Sequence, residues 1–581
     1  MAWSFAHISI NGHGMEQQSA HQDTVETLRR RLTHLLERVN RLNEIGVALS
    51  VMRNPDMLLE TILLGAKALT HSDAGTLYTL TDNQTLKFQI LRTDSLNIAQ
   101  GGTTGVPIKL PELPLYRLGK PNLAMVAAYT ALKEETVNIP DAYEAEGFDF
   151  SGMRAFDTAM KYRSKSFLTV PLKNHENELI GVLQLINATN PETGEIEPFS
   201  AEDQQLAESL ASQAAIALTN QRLISDLKTL FESFIQTIAT AIDEKSPYTG
   251  GHGHRVPILS EMIAKAAKAC TSGDLKDFNP TEDELYEIRI AAWMHDCGKV
   301  VTPEYVVDKA TKLETIYDRI HTISTRFEVL KRDAEIEFLN QKLAIISQYN
   351  GSTPLPFSQL EAQHKQLADL EQAFQERVAQ LELDRKFIVE CNVGGEFMSQ
   401  ALQDRVKMIA QYRWRNPEGR EEPFLSETEV YNLCIAKGTL TKEERAIINN
   451  HVTVTKKMLV KLPFPKNLKK VPEIAGSHHE TMIGTGYPEG LLRDQMSIPA
   501  RIMAVADVFE ALTASDRPYK PAKTLSASLK ILGFMKKDQH IDPDLFDVFI
   551  RNKIYQQYAE KYLDPSQIDE VDESKIPGYV P

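Results

Sequence analysis

His295-Asp296-Cys297-Gly298-Lys299 and, far downstream, His478-His479-Glu480-Thr481-Met482-Ile483-Gly484-Thr485-Gly486-Tyr487-Pro488 decide how this chain is read. An imidazole followed at once by a carboxylate offers two metal ligands in adjacent positions, and a carboxylate, unlike an imidazole, can bridge two ions. Asp296 is the natural bridge. The second stretch adds two imidazoles side by side and then a Gly-Thr-Gly-Tyr-Pro turn, whose glycines let backbone approach a ligand closely. The two stretches read as halves of one metal site.

Further along, Pro499 to Thr513 is an apolar helix that carries one Arg and one Asp, Arg501 and Asp507. Neither is cheap to bury unpaired. A ligand role for Asp507 and a phosphate-clamp role for Arg501 would satisfy both. Two more stretches complete a series of five in order: Pro247-Tyr248-Thr249-Gly250-Gly251-His252 upstream and Ser515-Asp516-Arg517-Pro518-Tyr519 after the Asp507 helix.

With these five stretches, residues of roughly 228 to 555 resemble an HD-GYP domain, the all-α metal-dependent phosphodiesterase family that acts on cyclic di-GMP. The resemblance implies a ligand set of His252, His295, Asp296, His451, His478, His479 and Asp507. Two divalent ions would share it, iron or manganese ahead of zinc because the ligands are imidazole and carboxylate without thiolate. It further implies attack on phosphorus by a metal-bridged hydroxide, with Asp296 and Lys299 catalytic. Lys299, Arg501, Gly486, Tyr487 and Pro488 would face the substrate, and the products would be pGpG, GMP or both. Some family members hold a third ion through a glutamate on the opening helix; Glu244 is the nearby acid here. His254 stands two residues after His252 and so faces elsewhere on a helix.

The histidine between the two halves has two candidates. Lys309-Ala310-Thr311-Lys312-Leu313 leads to His321, and Gly438-Thr439-Leu440-Thr441-Lys442-Glu443-Glu444 leads to His451. Only the second has the family spacing, which makes His451 the ligand and 313–437 an insertion. Within it Ile316, Ile320, Ile323, Phe327 and Leu330 have helical period. After a break at Tyr349-Asn350-Gly351-Ser352-Thr353-Pro354, Leu360, Leu367, Phe374 and Leu381 recur every seven residues, so a long antiparallel helical hairpin is expected. It could cover the site, join a dimer or dock a signalling partner. The family has Asp where this chain has Ile483, which removes an acceptor from the loop. A module that binds metal and nucleotide without turnover therefore stays open beside the hydrolase, as does hydrolysis of another cyclic dinucleotide.

Toward the N-terminus, residues 1–20 read as a disordered leader. Val25, Leu28, Leu32, Leu35, Val39 and Leu42 then recur in steps of three and four, a coiled-coil seam over 21–46 that suits a homodimer. From 47 to 222 strands alternate with helices: 74–80 and 86–91 as a hairpin around 81–85, then 166–172 and 179–187. This α/β stretch resembles a GAF domain, a sensory fold that often holds a small ligand. Of the Asn-Lys, Phe, Asp-Glu pattern of cyclic-nucleotide-binding GAF domains, Asn187, Phe199 and Asp203 are present, while Ala188 and Gln204 depart from it. The GAF ligand is left open. A Pro- and Gly-free helix, 201–243, would connect sensor to enzyme as a signalling helix or a passive spacer.

The expected architecture is thus multidomain: the α/β GAF domain, then an all-α HD-GYP domain in two parts, 228–312 and 438–555, around the inserted hairpin, with a tail at 556–581. At 581 residues the chain is too long for one core. The net charge of −15 argues against general binding to nucleic acid or anionic membrane. There is no run of about 18 apolar residues and no basic-then-apolar start, so no membrane insertion and a cytoplasmic location are expected. Cys270, Cys297, Cys391 and Cys434 show no metal-ligand spacing and read as reduced thiols.

Overall fold

The computed structural model describes residues 12–52, 54–244, 251–271, 273–349, 356–395, 397–515 and 522–580. The first eleven residues of the expected leader, Pro247 to Gly250, and Asp516 to Tyr519 lie outside them. The chain divides into two compact units, Met1–Leu230 and Phe231–Pro581.

In the first unit, α1 (Gly12–Val51) and α2 (Pro55–Thr70) precede β1 (Ser72–Leu80), β2 (Thr85–Thr93) and β3 (Ile98–Gly101). Asn54 caps α2, accepting from the backbone of Asp56 and Met57, and Pro55 fits the first helical position, where no N–H is needed. The short strands β4 (Leu113–Pro114), β5 (Tyr116–Arg117) and β6 (Lys120–Pro121) lead to α3 (Val126–Lys133), β7 (Val137–Ile139) and α4 (Ser151–Met160). β8 (Phe167–Lys173), β9 (Leu179–Thr189), β10 (Ile196–Glu197) and α5 (Ala201–Asp243) follow, and α5 runs across the boundary between the units. The sheet has the antiparallel order β3-β2-β1-β9-β8-β7, with β4 on β2 and β10 on β9.

Alternation along the strands explains how the sheet is covered. Leu77, Leu183 and Leu185 pack with α1, α2 and α5 through Leu49, Leu58, Ile62, Leu63 and Leu210. Tyr78 and Val182, the alternate positions, pack on the other face with Ala127, Ala128 and Ala131 of α3. Two details differ from expectation. α1 begins at Gly12, inside the supposed leader. Leu42 is buried in the core of this unit while Leu32, Leu35 and Val39 stay exposed, so the exposed seam stops short of Leu42. The side chains of Val25 and Leu28 lie outside the described set.

The second unit is helical apart from one small hairpin. α6 (His252–Lys268) and α7 (Glu282–Met294) lead into a 3-10 turn at Cys297–Val301 and the short α8 (Glu304–Val307). α9 (Ile320–Tyr349) and α10 (Phe357–Asn392) form the antiparallel pair, followed by α11 (Gln400–Ala410), β11 (Arg413–Arg415), β12 (Glu421–Pro423) and α12 (Glu427–Leu433). α13 (Lys442–Leu459), α14 (Val471–Gly476), α15 (Ile498–Thr513), α16 (Leu525–Lys537), α17 (Pro543–Arg551) and α18 (Ile554–Tyr562) complete it.

The stretch 313–437 is more than a hairpin. Its second part, from α11 to α12, folds back on the base of α9 and α10 and shares a separate core of Phe327, Leu381, Ile388, Val406, Phe424 and Leu433. Burial along the seven-residue repeat rises from Leu360, 36 % exposed, to Leu381, fully buried, so the apolar repeat is used near the base and left bare toward the tip. The C-terminal tail at 556–581 packs on this unit: Tyr558, Ala559, Ile576 and Tyr579 enter its main core, and Gln567 donates to the carbonyls of Thr513 and Lys523.

Candidate metal centre

α6 starts abruptly after Gly251, whose φ of 82° is left-handed, and this places His252 at the first helical position with its ring turned inward. His295 caps the end of α7, and Asp296 begins the 3-10 turn. Gly298 is the closest approach in that turn: a Cβ there would stand 2.0 Å from the carbonyl oxygen of His451. Thr455, one turn after His451 on α13, accepts from Gly298 N at 2.9 Å and donates to the carbonyl of His295 at 3.0 Å. One hydroxyl thereby fixes the His-Asp turn against the helix that carries His451.

Among the described residues, the four deeply buried imidazoles are held through Nδ1. His295, His451 and His478 each donate to the carbonyl three residues earlier, Ala292 at 2.7 Å, Ile448 at 2.6 Å and Ala475 at 2.7 Å. His252 Nδ1 meets Glu510, which also accepts from Arg255 Nε at 2.6 Å. Every Nε2 is thus left to face inward. Fixing one ring nitrogen with an outer partner so that the other can ligate is the usual arrangement of metal-binding histidine.

Asp296 stands in the middle. Its Oδ2 lies 3.3 Å from His252 Nε2 and 3.2 Å from His295 Nε2, and its Oδ1 lies 3.2 Å from His451 Nε2. Asp507 Oδ1 is 3.3 Å from His252 Nε2 and 3.8 Å from His295 Nε2. Two ligand atoms about 2.1 Å from one ion and about 100° apart are themselves about 3.2 Å apart, so these separations would suit ligands of a common cation. Three overlapping triads have ligand atoms mutually within 4.8 Å: His252, His295 and Asp507; His295, Asp296 and His478; His451, His478 and His479. The Nε2 atoms of His451 and His478 are buried and make no hydrogen bond. A buried donor or acceptor without a partner is costly, and a cation would satisfy both.

Burial alone would lower the pKa of His252 and His295, but the carboxylates around them outweigh it: His252 is raised well above its ordinary value and His295 reaches about 9. His478 and His479 behave in the opposite way. Burial and the neighbouring imidazoles hold His478 far below its usual value, and burial brings His479 to about 4. Burial would raise Asp296, yet Lys299 and His295 hold its carboxyl well below the ordinary range. Lys299 Nζ is 2.6 Å from Asp296 Oδ2. Cys297, although next in sequence, is buried and its thiol is pushed up to about 11, so it stays protonated and makes a poor ligand.

The Gly-Thr-Gly-Tyr-Pro loop is shaped by Glu480, which accepts from the backbone N–H groups of Glu489, Gly490 and Leu491 at 2.7, 3.1 and 2.9 Å. A Cβ on Gly486 would meet the Cα of Glu480 at 2.4 Å and the carbonyl oxygen of His479 at 2.6 Å. Tyr487 packs on His479 with ring centroids 4.9 Å apart, and Pro488 follows through a cis peptide bond. Ile483 is 47 % exposed and its backbone pairs with Leu492.

Arg501 does not reach this centre. Its guanidinium pairs with the buried Asp542 at 2.5 Å, and Asp542 caps α17 and also takes Arg493 at 2.9 Å. Six residues separate Arg501 from Asp507, a rotation of about 240° around the helix, so the two face different neighbours. His321 and His254 are exposed, His254 lying edge-on to Trp293 at 4.5 Å. Glu244 is exposed as well, whereas its neighbour Asp243 is buried and accepts from Gly253 N at 3.1 Å.

Thr455, Glu480, Glu510 and Arg255 were not singled out from the sequence. Glu510 had a signal: a second acid one turn after Asp507 in an otherwise apolar helix. Glu480 adjoins the histidine pair. Thr455 carried none, because its partners are far away in the chain.

In the first unit a cavity of about 500 Å³ opens between Tyr78, Phe88, Met125, Phe150, Phe167 and Gln184. Asn187, Phe199 and Asp203 serve structure: Asn187 ties the backbone of Arg163 and Lys165, Phe199 is in the core, and Asp203 caps α5 with Ser200 and pairs with Arg38.

Residues 428–545 match the HD domain family and residues 54–218 the GAF domain family. The chain is 38% identical over 123 residues to 3'3'-cGAMP-specific phosphodiesterase 1 of Vibrio cholerae, covering 21% of this chain and 27% of that protein. It is 38% identical over 114 residues to a cyclic di-GMP phosphodiesterase of Pseudomonas aeruginosa, covering 20% of this chain and 26% of that one. The chain thus spans about a quarter of the length of these curated relatives. The GAF domain of an Acinetobacter phosphoenolpyruvate-protein phosphotransferase is similar at 16% identity and a TM-score of 0.25, over 33% of this chain and 98% of that one. An HD domain and a GAF domain therefore stand on one chain, and no helix among the described residues is long and apolar enough to cross a membrane.

Proposed function

We propose that this GAF- and HD-domain protein hydrolyses a phosphodiester bond of a cyclic dinucleotide, cyclic di-GMP in the first place, at a centre of two divalent ions. The observation that carries the reading is the placement of Asp296, with one carboxylate oxygen toward His252 and His295 and the other toward His451. His252, His295, Asp507 and Asp296 would hold one ion; His451, His478, His479 and Asp296 the other. Such a pair supplies Lewis acidity toward phosphoryl oxygens and activates a water. Imidazole and carboxylate donors, with Cys297 kept as a thiol, suit iron or manganese ahead of zinc.

The protein groups divide the remaining work. Lys299 holds Asp296 and presents a cation beside the centre, where negative charge grows as phosphorus gains a fifth oxygen. Gly486 lets the loop lie against His479, and Tyr487, tilted against that ring, offers an aromatic surface to an incoming base. Relatives of similar identity are named for cyclic di-GMP and for 3'3'-cGAMP, so these are the two cyclic dinucleotides to compare. Opening one ester would give pGpG from cyclic di-GMP, and a second cut GMP. Ile483 is outside the ligand set, which favours turnover over binding alone. Control by the GAF domain, homodimerisation along the exposed part of α1 and a protein partner for the inserted segment belong to the same reading.

The test is product chromatography after anaerobic incubation with cyclic di-GMP and, separately, 3'3'-cGAMP. Linear dinucleotide or mononucleotide that disappears in His295→Ala/Asp296→Ala supports hydrolysis; tight nucleotide binding without product makes the protein a receptor.

A further inference from the structure

The inserted segment is tied to the helix that carries His451 through a buried lysine. Lys309 precedes the insertion, and its side chain is fully buried. Its Nζ donates to both carboxylate oxygens of Glu444 at 2.8 Å and to Asn432 Oδ1 at 3.1 Å, which uses all three of its N–H bonds. Asn432 belongs to α12, the last helix of the inserted segment. Glu444 belongs to the first turn of α13, where it closes a capping box with Thr441. The lysine backbone is tied in too: its carbonyl accepts from Thr439 Oγ1 at 2.9 Å. Beside it the insertion leaves and returns, with Lys312 N on Asn392 O at 2.9 Å and Lys312 Nζ on Leu433 O at 3.0 Å.

Glu444, Ile448, His451 and Thr455 follow one another at steps of four, three and four, so they form one stripe of α13. The stripe makes three attachments. Glu444 holds Lys309, His451 faces Asp296, and Thr455 clamps the turn of His295 and Gly298. A shift of the first turn of α13 therefore changes where His451 stands relative to Asp296. Tyr431 of α12 adds an outer tie, its hydroxyl donating to Glu443 at 3.0 Å.

We propose that Lys309 is a positioning residue for the half of the centre built from His451, His478 and His479, and the point through which the inserted segment bears on that half. It acts through Glu444 and touches no ligand. This rests on the reading of the histidine cluster as a two-ion centre.

The experiment is titration of the metal-free 581-residue chain with cobalt(II), followed by absorption, for the native sequence, Lys309→Met, Lys309→Arg and Lys309→Met/Glu444→Gln, the glutamine keeping the acceptor that caps α13. The double variant buries no unpaired charge, so it separates the tie from the cost of breaking an ion pair. The native chain is expected to take up cobalt in two steps. Lys309→Met and the double variant should keep one step and weaken the other by about 10- to 100-fold, the size of effect typical for groups that orient a ligand; Lys309→Arg should recover most of the loss. Native-like uptake in the double variant would overturn the proposal, as would equal weakening of both steps or failure of that variant to fold, either of which makes Lys309 a support of the fold alone. A native chain that takes up no cobalt would overturn the centre itself, and the positioning role with it.

Discussion

The two halves of the histidine cluster are built from different chemistry. Around His252 and His295 stand Asp507, Asp296 and, behind His252, Glu510; burial is outweighed and both rings are driven toward the protonated form. On the other side Oδ1 of Asp296 faces His451, and His478 and His479 are held neutral by burial. The first half is a place where a cation must displace protons. In the second, the Nε2 atoms of His451 and His478 are buried and make no hydrogen bond. Adjacent sites of unequal charge can fill in order.

The largest effect should come from breaking what the halves share. Asp296→Asn keeps the size and removes the charge; hydrolysis of cyclic di-GMP should fall by about three orders of magnitude, measured as kcat with excess metal. The halves can then be perturbed one at a time. Gly486→Ala pushes a methyl into the backbone of His479 and Glu480, and a displacement of about 1 Å can cost about 100-fold, read as kcat/KM with the thermal midpoint taken alongside. Glu510→Gln, on the other half, should weaken one ion by about 10- to 100-fold while the His451 half binds as before, read by competitive chelation.

Acidity sharpens the contrast. In the metal-free protein His295 is protonated below about 9, so affinity at its half should rise by about tenfold per pH unit up to that value for each proton displaced. His479, at about 4, competes with protons only in acid. Calorimetry near pH 7 in buffers of different ionisation enthalpy should show proton release accompanying one ion and little with the other. The smallest effect is expected from Arg501→Gln, which leaves both halves intact: KM should change less than about twofold, with a stability loss of about 1–3 kcal/mol from disturbing a buried ion pair.

How much of this was readable beforehand follows from how local each feature is. The strands of the first unit announced themselves by alternation, and 74–80 and 179–187 lie inside β1 and β9. The seven proposed ligands were legible as residue types in ordered motifs, and all seven converge. Arg501 was misjudged because its position on the helix relative to Asp507 was not counted. The α11 to α12 part of the insertion was missed because its helices are short and its core, Phe424 on Phe327, joins residues nearly a hundred positions apart. Thr455 and Lys309 act only through distant partners, which no local pattern encodes.

Whether two ions share the Asp296 carboxylate is decided by metal analysis of the anaerobically purified 581-residue chain beside Asp296→Asn. About two ions per native chain are expected, with a loss of stoichiometry together with a loss of product from cyclic di-GMP in the variant. One ion in the native chain, or two ions and unchanged turnover in Asp296→Asn, would contradict that sharing.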